Sequence, residues 1–266
     1  FNGSAALLLP SLGGSSIPPI QLALAFVFVR ILMPGSAAIG DLPEAFKANR
    51  WFALFSVYGI ATAFVLPRMF AGSVSVYPMR YDMPGDMFAS VPLMPTSQNI
   101  TAAFYLLGSF LSALAVWIAC RRKNAAGLLV TTLVVMAWLH AISGLVGVAA
   151  RGTPVDLALE LFRNSAYVQM DDEVGGFVRI RGIFPEASAY AALGFILFVA
   201  NAELWYHSLR SRATGLVTLA MGAVLFFSTS STAYFGLAIY GLFFALRTIA
   251  LPSPANFTKA KAAFAA

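Results

Sequence analysis

Seven stretches of this chain run close to twenty residues with almost no charge: Ile17–Met33, Trp51–Leu66, Ile100–Ala119, Ala125–Ala149, Pro185–Tyr206, Ala213–Phe227 and Ala233–Leu251. A helix rises about 1.5 Å per residue and a bilayer's hydrocarbon core is about 30 Å thick, so runs of this length suit membrane crossings and little else. Composition agrees, with 59% hydrophobic and 11% charged residues, more apolar surface than a soluble domain can bury. The expected fold is all-α, a polytopic transmembrane helix bundle of about seven spans forming a single domain over residues 1–266. Two long loops interrupt it, at 67–98 and 150–184. The chain opens on Phe1 with no basic leader, and we read it as part of a longer protein. A lone cysteine, Cys120, excludes a disulfide framework within the chain.

Charge distribution sets the expected orientation. Short loops rich in Lys and Arg face the cytoplasm. That rule places Arg30, Lys47, Arg50, Arg121, Arg122, Lys123, Arg210, Arg212, Arg247, Lys259 and Lys261 on the inside, with the acids Asp41, Glu44 and Glu203. The outer loops then carry only arginine as their basic residue: Arg68, Arg80, Arg151, Arg163, Arg179 and Arg181. The net charge of +6 is thereby explained by membrane orientation, and nucleic acid is not an expected partner. Guanidinium offers a planar fork of donors that grips phosphate with paired hydrogen bonds and never loses its charge. Arg68, Arg80 and Arg163 are on this ground candidate substrate contacts.

The outer charge converges on Val178–Ala192, V-R-I-R-G-I-F-P-E-A-S-A-Y-A-A. Pro185 suits the first turn of a helix, and Glu186 beside it would meet the positive end of the helix dipole. Arg179 and Arg181 either anchor the loop to headgroups and to Asp171, Asp172 or Glu173, or clamp a diphosphate whose charge grows as it leaves. Glu186 either satisfies the helix start or takes the proton of an attacking sugar hydroxyl. The acidic run Asp171–Glu173 has no neighbouring His or Cys, and no metal site is assigned to it.

Further candidates lie nearby. His140 falls inside the fourth span, where an ionisable group either lines a functional interior or hydrogen-bonds between helices. Ser230, in the Ser228–Thr232 turn, either packs helices or lines a polar cavity. Tyr190, like Tyr167 and Tyr234, could stack on a sugar ring or simply sit at the interface. Over Pro154–Arg163, Val155, Ala158, Leu159 and Phe162 recur at helical spacing opposite Asp156, Glu160 and Arg163, which predicts a short amphipathic helix.

R-I-R-G-I-F-P-E-A-S-A-Y-A-A (Arg179–Ala192), the long loop before it, and F-F-S-T-S-S-T-A-Y-F-G (Phe226–Gly236) resemble the O-antigen ligase and polymerase superfamily. The R-x-x-G-x-F-x-E-x-S form looks most like bacterial exopolysaccharide repeat-unit polymerases. This resemblance implies a metal-independent inner-membrane glycosyltransferase with a GT-C-like architecture and no cofactor. Its donor would be an undecaprenyl-diphosphate-linked oligosaccharide, taken from the bilayer on the periplasmic face. Other polysaccharide assembly and export proteins would be its partners. By position, Arg181 would bind the diphosphate, with Arg179 beside it, and Glu186 and Ser188 would complete the pocket. A ligase that moves finished glycan to a lipid acceptor, and a transporter without chemistry, are the competing readings.

Overall fold

The computed structural model describes residues 7–9, 15–77, 90–163, 173–174 and 176–250. About three-quarters of the described residues are helical. Among the described residues the helices are α1 (Pro19–Leu32), α2 (Leu42–Ala48), α3 (Arg50–Met69), α4 (Ser97–Cys120), α5 (Ala125–Ala149), α6 (Pro154–Glu160), α7 (Ala187–Tyr206), α8 (Ser211–Phe227) and α9 (Ser231–Ala250). Three short antiparallel ribbons punctuate them: β1 (Leu7–Leu9) with β2 (Ser15–Ile17), β3 (Ser75–Val76) with β4 (Val91–Pro92), and β5 (Glu173–Val174) with β6 (Phe177–Val178). The chain is an α-helical membrane protein. Five helices among the described residues, α3, α4, α5, α7 and α9, are long and apolar enough to cross a bilayer.

Two of the seven expected spans form helices shorter than the other five. α1 has 14 residues because Pro19 opens it, while Pro34 forces the preceding Met33 out of the helical region. α8 has 17, bounded at its start by Arg210 in the left-handed region (φ 49°). At 1.5 Å per residue they rise about 21 and 26 Å against a core of about 30 Å.

The chain divides into two compact units, one over residues 6–123 and one over 124–266 together with 1–5. In the first, α4 packs against α1, α2 and α3 around Ile31, Ala45, Phe110, Leu114 and Ile118. Phe46 and Phe52 both meet Phe110 edge-on, with centroids at 5.5 and 5.9 Å. Gly108 leaves room for the Gln21 amide, which lies 2.1 Å from where a β-carbon would stand. The segment 34–50, expected as a plain loop, folds instead into a 3-10 turn (Ile39–Asp41) and α2. Ion pairs from Arg122 to Asp41 (2.5 Å) and Arg121 to Glu44 (3.3 Å) tie it to the end of α4.

In the second unit α7 is the central helix, flanked by α5, α8 and α9, and contacts along its length show that α5 and α8 run antiparallel to it and α9 parallel. Against α5, Tyr190 meets Gly144, Gly194 meets His140, and Asn201 donates to the Leu133 carbonyl at 3.3 Å. Against α8, Trp205 meets Gly215 and Phe198 meets Gly222. Against α9, Phe195 meets Gly236 and Glu203 meets Arg247. The core holds Ala137, Ala141, Leu197, Val217, Met221 and Val224, with Ile180, Phe184 and Tyr190 added from the loop and the start of α7.

That loop departs from expectation in two places. Pro185 does not open the helix. α7 starts at Ala187, with Glu186 as an extended N-cap (φ −146°, ψ 154°) whose side chain makes no capping hydrogen bond. An N-cap residue keeps strand-like dihedrals, so helical geometry begins two residues later than a start at Pro185. The amphipathic helix is present as α6, but of its expected apolar face only Leu159 is buried, while Val155 and Phe162 are exposed.

Candidate functional site

The site is built on the loop that runs from β6 into α7. Ile180, Gly182, Phe184 and Pro185 are buried, whereas Arg179, Arg181, Ile183 and Glu186 are half-buried. An extended backbone alternates sides at each residue. Apolar groups enter the core at 180 and 184, and Arg179 and Arg181 are left half-buried. Gly182 makes the turn, with φ of +54°, in the left-handed region that suits glycine. A β-carbon there would stand 3.0 Å from Ser143 Oγ and 3.2 Å from the Gly144 amide nitrogen, so the loop lies directly on α5.

Arg163 holds this turn in place. The residue is only 3% exposed. Nε and Nη2 both donate to the Gly182 carbonyl, at 2.9 and 2.5 Å. Nη1 donates to Glu160 Oε1 at 2.7 Å and to Asp156 Oδ1 at 3.4 Å. The expectation of Arg163 as a substrate contact gives way to this internal role, because its donors already have protein partners. Sequence pattern placed Arg163 on an exposed polar face. The partner that buries it is nineteen residues further along the chain, beyond the reach of helical periodicity.

Arg181 approaches the same carboxylate, with Nη2 3.6 Å from Glu160 Oε1, so two arginines share one acid. Arg179 differs, for its Nε is buried and has no hydrogen-bond partner among the described residues. A buried charged donor left without an acceptor is costly, by about 1–3 kcal/mol or more. Among the described residues, the Glu186 carboxylate takes no part in the ion pairs of Arg163 and Arg181. Ser188 lies in the first turn of α7, half-buried.

Beneath the loop, His140, Phe184 and Tyr190 form an aromatic group. Tyr190 stacks on His140 at 3.9 Å, and Phe184 meets the two rings edge-on at 5.8 and 5.5 Å. The Tyr190 hydroxyl donates to the His140 carbonyl at 2.9 Å, and Ser143 Oγ donates to the same oxygen at 2.8 Å. Tyr190 is fully buried, which leaves no ring face for a sugar. His140 does face the interior; its Nε2 is buried without a partner among the described residues, beside Gly194 and a small cleft of about 70 Å³.

Ser230 stands immediately before α9, at the same end of the unit. It is buried and its Oγ has no hydrogen-bond partner among the described residues. Thr229 before it adopts φ of +51°, so the turn is held in an uncommon conformation. Arg68 belongs to the other unit, where its Nη1 donates to the Phe64 carbonyl at 2.6 Å. Arg80, Asp171, Asp172 and Tyr167 lie outside the described residues. Glu173 pairs with Arg151 at 2.8 Å.

A second polar group, at the opposite end of α7, was read from the sequence only as inward-facing charge. Glu203 accepts from Arg247 at 2.8 Å and from the Tyr240 hydroxyl at 3.1 Å, and Arg247 lies over the Tyr206 ring at 4.1 Å. The available signal was an acid one turn from the end of an apolar run, facing an arginine near the end of another.

Comparison of the chain with protein-family models, with curated proteins and with solved structures finds no match. The functional reading therefore rests on the geometry and on the sequence pattern.

Proposed function

We propose that the chain is a GT-C-like membrane glycosyltransferase that polymerises undecaprenyl-diphosphate-linked oligosaccharide repeats at the periplasmic face of a bacterial inner membrane. Seven helices would cross the bilayer, the shorter α1 and α8 included. The observation that carries this reading is Arg179. Its buried Nε has no acceptor among the described residues, and it lies in a loop whose turn is fixed by Arg163 and Gly182. An anionic ligand would supply the missing acceptor.

In this mechanism the acceptor sugar hydroxyl attacks the anomeric carbon of the lipid-linked sugar. The bond from that carbon to the phosphate oxygen breaks, and the diphosphate leaves with the bonding electrons. Arg179 and Arg181 stabilise the charge that gathers on it, more strongly in the transition state than before. The hydroxyl proton passes to the Glu186 carboxylate, which has no capping bond to give up. Arg163 positions the loop and does not touch substrate.

Polymer length in membranes from Arg179→Ala and Arg181→Ala variants tests the reading. Each is expected to lose about 10²–10³-fold in polymerisation, the usual effect of removing one preorganised charge-stabilising donor. Arg179→Lys should recover only part, because a point charge does not replace the planar fork. Full activity in Arg179→Ala would overturn the proposal.

A further inference from the structure

A cleft of about 510 Å³ lies between α8 and α9 with α7 as its floor, at the end of the unit away from the loop. This is within the range of ligand pockets, about 300–1,000 Å³. Phe198, Trp205, Tyr240 and Phe244 form its aromatic walls, while Gly222 and Gly241 keep it open. Its two hydroxyls are already engaged: Thr218 donates to the Thr214 carbonyl at 2.7 Å, and Tyr240 donates to Glu203 at 3.1 Å. What the cleft offers an occupant is therefore carbon. From Phe198 to Trp205, α7 rises about 10 Å, a third of a hydrocarbon core of about 30 Å.

Charge at one end of the cleft narrows the occupant further. Residues three apart share a helix face. Arg212 therefore lies one turn beyond Gly215 on the cleft face of α8, and Arg247 one turn beyond Phe244 on that of α9. Arg212 is exposed. Arg210 is held by the Thr131 hydroxyl at 2.6 Å, and Glu203 is the acid at this end among the described residues. Arg247 is paired with Glu203, so Arg212 supplies the excess of positive charge where a headgroup would sit.

We propose that this cleft is a binding site for an anionic glycerophospholipid, with one acyl chain between α8 and α9 and its phosphate at Arg212 and Arg247. The site is separate from the loop that holds Arg179, and it would be occupied whether or not the protein is a glycosyltransferase.

The test equilibrates the membrane-extracted protein with equal amounts of phosphatidylglycerol and phosphatidylcholine and measures bound lipid by native mass spectrometry. Wild type should retain phosphatidylglycerol preferentially, by about five-fold for each arginine engaged. Arg212→Gln should reduce that preference about five-fold. Gly241→Leu fills the cleft without strain, since a β-carbon there meets nothing within 4 Å; it should abolish retention while circular dichroism stays unchanged. Equal retention of both lipids by wild type would overturn the proposal, as would undiminished binding in Gly241→Leu. Conversion of a dimer to a monomer by Gly241→Leu, with lipid unaffected, would assign the cleft to a second copy and also overturn it.

Discussion

Replacing Arg163 with alanine should loosen the loop between β6 and α7 while leaving the helices on either side intact. The side chain is almost entirely buried and closes two links, to the Gly182 carbonyl and to the carboxylates of Glu160 and Asp156. Hydrogen bonds from a charged donor contribute about 1.5–3 kcal/mol, and removing one member of a buried pair costs about 3–5 kcal/mol. Glu160 is 45% exposed, so water takes up part of its charge after truncation. The expected cost is about 2–4 kcal/mol, which corresponds to local opening faster by about 30- to 1,000-fold. Hydrogen exchange is the assay: amides in 154–163 and 177–186 should lose protection while those in the middle of α5 and α7 keep theirs. Arg163→Lys should fall between the two, because an ammonium supplies charge without the fork. Wild-type protection in Arg163→Ala would refute the strap.

Gly144→Ala should destabilise the second unit by about 1–3 kcal/mol, since its β-carbon would stand 2.2 Å from the Tyr190 hydroxyl; detergent-induced unfolding measures this. Tyr190→Phe removes one buried hydrogen bond to the His140 carbonyl and should cost about 1 kcal/mol in the same assay, with polymer formation retained. Glu186→Gln should leave stability within about 0.5 kcal/mol, as its side chain caps nothing, yet slow polymerisation by about 10²–10⁴-fold if the carboxylate is the base.

The approximate position of the long apolar helices could be read from the apolar runs, because lipid imposes the same demand on every crossing, whereas the short α2 could not. For α5 the run and the helix coincide, Ala125–Ala149. Ends set by single residues were harder to see. Met33 leaves the helix under the influence of Pro34, and Glu186 keeps an extended backbone where a helical turn was expected. Among the charged residues, pattern could place Arg163, Arg179 and Arg181 on one loop but not separate their duties. That separation depends on contacts distant in sequence, between Arg163 and Gly182 and between both arginines and Glu160. The Glu203, Tyr240 and Arg247 group was hidden for the same reason, since its members sit 37 and 44 residues apart.

Turnover of a lipid-linked substrate tests the chemistry assigned to the loop before α7 most directly. Purified protein incubated with a lipid-diphosphate-linked oligosaccharide should release lipid diphosphate and yield glycans lengthened by whole repeats, and Arg179→Ala should yield neither. Recovery of the starting glycan unchanged from wild type, in bilayers where the protein is folded, would contradict it.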